Sequence, residues 1–394
     1  MTKILPLTGD HAAAESMRQI NPDVVAAYPI TPQTEIVMSF SQMAANGLVD
    51  TELIPVESEH SAMSACVGSS AAGARTMTAT SSQGLALMWE ILYVASGLRL
   101  PIVMHTVNRA LSAPINIHGD HSDGMGARDS GWIQIYCENG QEVYEMGLMA
   151  IRLAEHSDIL LPVMVCQDGF ITSHAIEGVS ILEDADVKKY VGSYVPKDPL
   201  LDISHPVTYG PIDLQDYYFE HRYQQAEAMR TAKKKLPEIF AEFNKFSGKK
   251  YDFIEKYKMD DAEVAVLALS STCGTTRYVV DEMREKGIKV GMIKLTVFRP
   301  FPMEEIAAAC KNLKALAVLD RADSCAAQGG PVFNDVCTAN YTLLDKKIPT
   351  LNYIYGLGGR DIDEAQIRNI INETVEAAKT GKVKKLINYS GVRI

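Results

Sequence analysis

The chain has 394 residues, 47% of them hydrophobic, and a net charge of −11. That length exceeds what one core ordinarily serves, so two domains are expected, and the acidic balance argues against general nucleic-acid binding. No apolar run suits a bilayer span, and charged and polar residues interrupt the amino-terminal stretch where a secretory leader would be apolar, so a cytoplasmic enzyme subunit with no membrane contact is expected.

Apolar runs at about 23–28, 52–56, 75–79, 101–107, 132–137 and 160–166 read as strands. Helical patterns fall at about 11–19, 33–46, 58–73, 82–98 and 140–155. Such alternation predicts a doubly wound α/β domain with a largely parallel sheet, assigned to residues 1–230 together with an irregular extension. Within that extension, Pro196, Pro199 and Pro206 break residues 171–206. Residues 207–258 read as helix plus linker, with the linker at 231–261, and Lys233-Lys-Lys235 reads as a solvated face. A second α/β domain is expected over 262–394. Its strands are predicted at 264–269, 290–295, 315–319 and 350–355, and its helices at 275–286, 303–312 and 364–379.

The seven cysteines show no spacing suited to zinc or to an iron–sulfur cluster. They read as reduced thiols, mostly small core residues.

The stretch Tyr28-Pro-Ile-Thr-Pro-Gln-Thr-Glu35 joins a buried strand to a helix. Its two prolines stiffen the turn, so Thr31 is held at the carboxyl end of a strand, where open α/β sheets bind ligands. Pro32 suits a first helical position. The Thr31 hydroxyl could also cap the helix. Glu57 and Glu59 begin a helix, where carboxylates also stabilise its positive end. Arg109 follows a strand and offers a rigid donor fork suited to a carboxylate. Ala110 to Asp129 is a long glycine-containing loop of the kind that is usually functional or disordered. Its His118, Asp120, His121 and Asp123 have metal-ligand chemistry at short spacing, which leaves a metal-dependent hydrolase as one reading.

Together Tyr28-Pro-Ile-Thr-Pro32, Val56-Glu-Ser-Glu-His-Ser-Ala62, Thr80-Ser-Ser-Gln-Gly-Leu-Ala86, Asn108-Arg-Ala-Leu-Ser-Ala-Pro114, Ile117-His-Gly-Asp-His-Ser-Asp123 and Gln167-Asp-Gly-Phe170 resemble the 2-oxoacid:ferredoxin oxidoreductases. They are most similar to the α subunits of the multi-subunit pyruvate enzymes, along essentially the whole chain. The resemblance implies a thiamine-diphosphate domain of the pyrimidine-binding type, followed by a domain like the transketolase carboxyl-terminal one. It implies oxidative decarboxylation of pyruvate to acetyl-coenzyme A, with electrons passed to ferredoxin. Branched-chain, aryl or 2-oxoglutarate substrates are the runners-up within the family. A non-catalytic scaffold subunit is the alternative of another class.

By resemblance Glu59 binds the aminopyrimidine, with Tyr28, Pro29 and Ile30 beside the cofactor. Arg109 and Thr31 touch the substrate. Asn108, Asp120, His121 and Asp123 form a hydrogen-bonded wall along the loop, with no metal there. Thr31 and Ala113 suggest a small cavity that fits pyruvate. The Gly-Asp-Gly motif with a downstream Asn that usually holds the diphosphate through magnesium is absent; Gly9-Asp10-His11 and Gln167-Asp168-Gly169 are near misses. The diphosphate half, Mg2+ and the [4Fe-4S] clusters are therefore expected on partner chains: a diphosphate-binding β, a coenzyme A-binding γ and a ferredoxin-like δ subunit, or fused equivalents.

Overall fold

A computed structural model describes residues 3–325 and 328–393. The first half contains β1 (Lys3–Leu7), α1 (Gly9–Ile20), β2 (Val24–Ala27), α2 (Thr34–Ala45), β3 (Glu52–Pro55), α3 (Glu59–Ala72) and β4 (Thr76–Thr80). It continues through α4 (Ser82–Leu87), α5 (Trp89–Gly97), β5 (Val103–Asn108), α6 (Ser122–Gly126), β6 (Ile133–Tyr136), α7 (Gly140–Ala154) and β7 (Val163–Asp168). Then follow β8 (Glu177–Ile181), α8 (Asp184–Val191), α9 (Tyr218–Ser247), β9 (Ile254–Tyr257), β10 (Val264–Ala268), α10 (Thr272–Glu285) and β11 (Val290–Leu295). The chain closes with β12 (Val297–Arg299), α11 (Met303–Cys310), β13 (Ala315–Asp320), α12 (Pro331–Leu343), β14 (Thr350–Ile354), α13 (Glu364–Thr380) and β15 (Ile387–Tyr389).

Two large sheets organise the molecule. The first has the order β12-β6-β7-β5-β4-β2-β3, parallel except for β12. Its central strands β4, β5 and β7 are buried at every position, as expected where helices cover both faces. The second has the order β15-β14-β13-β10-β11-β9, with β9 antiparallel. Parallel pairing puts the carboxyl ends of β2, β4, β5 and β7 on one edge, and those of β10, β13 and β14 on one edge of the other sheet. The doubly wound expectation therefore holds.

The sheets are tied together. β12 leaves the second unit and pairs with β6 of the first sheet. Lys294 on β11, 2% exposed, pairs with Glu138 at 2.9 Å and with Glu142 of α7. Arg277 of α10 adds a two-bond contact to Glu138 at 2.6 and 2.7 Å. α9 runs as one 30-residue helix that packs on α7, and residue 230 lies within it. Lys233 pairs with Glu304 of α11.

Several elements differ from the periodicity. The pattern over 82–98 divides into α4 and α5 at Met88, whose φ of −77° and ψ of −6° turn the chain between them. Residues 171–206 include β8 and α8, since β8 pairs antiparallel with β1, from Lys3↔Ile181 to Leu7↔Glu177. Pairing so remote in sequence leaves no local signature. Pro32 lies before α2, which begins at Thr34.

Candidate active site

The site lies along the carboxyl edge of the first sheet. α3 is capped by Ser58, whose hydroxyl accepts the Ser61 amide at 3.2 Å, and it ends at Gly73, φ 104°. Glu59 thus occupies the first helical position, facing α4. It is 7% exposed, and among the described residues its carboxylate has no hydrogen-bond partner. A Cβ on Gly84 would lie 2.8 Å from Glu59 Oε1 and 2.5 Å from Thr80 Oγ1. Glycine at 84 therefore lets α4 close on the carboxylate. Glu57 is exposed and accepts from Ser61 Oγ at 2.5 Å.

Arg109 follows β5 and is 6% exposed. Its Nε donates to the Asn116 carbonyl and its Nη1 to the Thr31 carbonyl, each at 2.9 Å. Nη2 has no partner among the described residues, so one arm of the fork remains for a ligand. Burial lowers the guanidinium's pKa while Asp123 opposes that. Thr31 is exposed and contributes its carbonyl; its hydroxyl does not cap α2, whose flanking residue is Gln33. Gln33 is a buried partner that the sequence reading missed. Its Oε1 accepts the Ile30 amide at 3.2 Å and its Nε2 donates to the Ala79 carbonyl at 2.9 Å, fastening the Thr31 turn to β4. Tyr28 and Pro29 are exposed, and Ile30 is half-buried.

The loop residues divide into two groups. Asp123 accepts from Asn108 Nδ2 (2.8 Å), the Gly124 amide (2.7 Å), the Ser82 amide (2.8 Å) and the Arg109 amide (3.0 Å). Burial still pushes its pKa up to about 6 against those four donors. It anchors the ends of β5 and α4 to α6. Asp120 instead reaches the second unit, and the His121 side chain reaches the carboxyl end of β7. Asp120 accepts from Ser122 and from the Gly358 amide at 3.0 Å. His121 bonds Asp168 at 2.6 Å.

Asp168 also accepts from Arg321 Nη1 at 3.0 Å and from the amide and hydroxyl of Ser271. Burial alone would raise its pKa, but Arg321 and His121 outweigh burial and hold the carboxyl well below its usual range. With Asp168 ionised, His121 Nε2 carries the proton and donates it; Nδ1 is buried without a partner among the described residues. The Gln167-Asp168-Gly169 near miss is thus an interior contact between the two sheets. Its neighbour Gly169 donates its amide to the Asn108 carbonyl at 3.0 Å. Asp120, His121 and Asp123 are each engaged with protein groups. Among the described residues, no three His, Cys, Asp or Glu side chains are grouped to hold a metal ion.

Residues 15–241 match the family described as pyruvate flavodoxin/ferredoxin oxidoreductase, thiamine diphosphate-binding, and residues 262–367 match the pyruvate:ferredoxin oxidoreductase core domain II. The chain belongs to this thiamine-diphosphate-binding oxidoreductase family. Within it, the chain is 57% identical to pyruvate synthase subunit PorA of Thermotoga maritima, over 94% of each chain. It is 48% identical to the subunit of the same name from Methanocaldococcus jannaschii, over 96% of each. Identity to ketoisovalerate oxidoreductase subunit VorA of Pyrococcus abyssi is 41%, over 97% of this chain and 96% of that one.

Among solved structures, the fold matches the 2-oxoglutarate:ferredoxin oxidoreductase of Magnetococcus marinus, with a TM-score of 0.67 at 20% identity. The match covers 94% of this chain and 65% of that one. A split-gene transketolase in an inactive β4 tetramer matches with a TM-score of 0.55 at 10% identity, over 94% of this chain and 99% of that one. No helix among the described residues is long and apolar enough to cross a membrane.

Proposed function

We propose that this chain is the α subunit of a pyruvate:ferredoxin oxidoreductase and supplies the pyrimidine side of a thiamine diphosphate site shared with another subunit. The observation that carries the reading is Glu59, a buried carboxylate left without a protein partner beside a glycine whose side chain would crowd it. A carboxylate so placed, on a largely buried residue and with no protein donor of its own, fits a group that brings its own hydrogen-bond donor. The cofactor, when bound, supplies the electron sink for decarboxylation of a 2-oxoacid.

The chain's own residues have defined tasks. Glu59 holds or exchanges a proton at the aminopyrimidine. Arg109 Nη2 receives the substrate carboxylate, while Asn116 and Thr31 keep the guanidinium plane fixed through their carbonyls. Tyr28, Pro29 and Ile30 form the cofactor's side wall. Asp123 and Asn108 keep Arg109 on the end of β5.

The magnesium and diphosphate contacts belong to a β-type partner, coenzyme A to a γ-type partner, and the [4Fe-4S] clusters to chains that deliver electrons to ferredoxin. Exposed apolar side chains adjoin each site loop and support a partner there: Tyr28, Leu87 and Trp89, Ile115 and Ile117, and Leu357. The same reading puts the assembly in the cytoplasm. The kinship to a ketoisovalerate oxidoreductase subunit supports a second reading, a branched-chain 2-oxoacid as substrate. Viologen reduction by the purified complex with pyruvate, 2-oxoisovalerate and 2-oxoglutarate tests both. The expected result is the highest kcat/KM with pyruvate; preference for 2-oxoisovalerate selects the second reading, and no reduction with any of them rejects both.

A further inference from the structure

Arg109 depends on a loop that is braced from two sides. Its Nε acceptor is the Asn116 carbonyl, in a stretch whose residues 112–115 are exposed and make no regular element. Within the first unit the Ala110 amide donates to the His118 carbonyl at 3.1 Å, the Leu111 amide to Ser122 Oγ at 3.0 Å and Gln83 Nε2 to Ser112 Oγ at 2.9 Å. At Asn116 a further brace comes from the second unit. Asn116 Nδ2 donates to the Gly358 carbonyl at 3.1 Å, and the Gly358 amide donates to Asp120 Oδ2 at 3.0 Å. One residue further along, the His121 amide donates to the Arg321 carbonyl at 2.8 Å.

The turn that receives the loop is Gly356-Leu-Gly-Gly359. Gly356, Gly358 and Gly359 all have positive φ, at 64°, 62° and 77°. Space is as restricted as conformation. A Cβ would lie 2.6 Å from Asn116 Nδ2 at position 358, 2.3 Å from His118 Cβ at 359 and 3.0 Å from Arg321 Nε at 356. Three glycines therefore let the end of β14 lie directly against the substrate loop.

We infer that the Gly356–Gly359 turn of the second unit, acting through Asn116, is a positioning element for Arg109 and so for the substrate carboxylate. The inference rests on Arg109 receiving that carboxylate. It gives the second unit a part in substrate recognition, although none of its residues need touch substrate. Asn116 has a separable local role, because its Oδ1 accepts the His118 amide at 2.6 Å. Asn116→Asp keeps that local acceptor but sets a carboxylate oxygen against the Gly358 carbonyl. Asn116→Ala removes both contacts.

The experiment is steady-state kinetics of the assembled complex carrying Asn116→Ala, Asn116→Asp, Arg109→Lys and the two double variants. Thiamine diphosphate affinity is measured alongside. The expected result is a rise of about three- to tenfold in pyruvate KM for both Asn116 variants, the size of one lost neutral hydrogen bond, with kcat and cofactor affinity within about twofold. In the Arg109→Lys background the Asn116 effect should vanish, since the brace then has no fork to orient.

If Arg109→Lys raises KM and neither Asn116 variant does, the positioning role is wrong and the Arg109 assignment stands. A normal KM for Asn116→Asp beside a raised one for Asn116→Ala would show that only the local turn matters. An Asn116 effect that persists in the Arg109→Lys background, or falls equally on cofactor affinity, would show general loosening and overturn the inference. An unchanged KM in Arg109→Lys itself would remove the reading on which the inference rests.

Discussion

Glu59 is the residue on which the proposed function rests most heavily. Its place at the head of α3 stabilises the helix, and its unpartnered carboxylate leaves it free for a ligand. Glu59→Gln is nearly isosteric, so fold and assembly should persist. Turnover should drop by about 100-fold or more, because the amide cannot carry a proton. Activity within about twofold of wild type would remove the assignment. Arg109→Lys keeps charge and loses the fork. Pyruvate KM should rise about 10- to 100-fold, as for a lost charge-assisted hydrogen bond, while thiamine diphosphate titration stays near wild type. Collapse of cofactor affinity with unchanged pyruvate KM would reverse the assignment. Both residues were singled out by resemblance, at motif positions that follow short apolar runs; residue type and spacing alone left their roles open. The contacts of Gln33 and the pairing of Asp168 with Arg321 had no such signal. Asp168 and Arg321 are partners 153 positions apart, and no local pattern encodes that distance.

At the scale of elements, the helix and strand patterns followed burial wherever both faces of a strand are covered. β10 reads as an unbroken apolar run because every one of its residues is buried. β1 and β8 failed to show because each is short and half-exposed, and each needs the other to exist as a strand. α4 separates from α5 at Met88. Helix α4 has a consequence at the site, since it carries Gly84 against Glu59. Gly84→Ala would place a methyl within 2.8 Å of the carboxylate and 2.5 Å of Thr80 Oγ1. Thiamine diphosphate affinity should fall at least about tenfold in the assembled complex, with the far-ultraviolet circular dichroism unchanged; calorimetry reads the first and spectroscopy the second. Unchanged affinity would mean that cofactor binding does not depend on how the Glu59 carboxylate is set against α4.

For the whole molecule, two α/β units face each other with their carboxyl edges, and buried charges fix the contact. Other buried titratable groups make stability depend on pH in a way that can be assigned. Burial pushes Glu145, whose carboxylate accepts the Tyr251 hydroxyl, up from 4.5 to about 7. A raised folded pKa means that this group's stabilisation is present below about 4.5 and is lost as pH rises through 7. Glu145→Gln should therefore gain on wild type in thermal unfolding between pH 5 and pH 8, by up to about 3 kcal/mol. A difference in Tm that does not change with pH would contradict the cause given for the shift. His105 works the other way. Burial lowers it from 6.5 to about 4, so its neutral form is secure above 6.5 and stability is lost as pH falls toward 4.

On the proposed function, the catalytic site is divided between this chain and another. Isothermal titration of the isolated chain with thiamine diphosphate and Mg2+, followed by pyruvate-dependent viologen reduction before and after adding the diphosphate-binding and cluster-bearing subunits, tests it most directly. The predicted result is weak, magnesium-insensitive binding and no dye reduction by the chain alone, with tight binding and activity on reconstitution. Tight, magnesium-dependent binding at one site per isolated chain, or dye reduction by that chain alone, would contradict it.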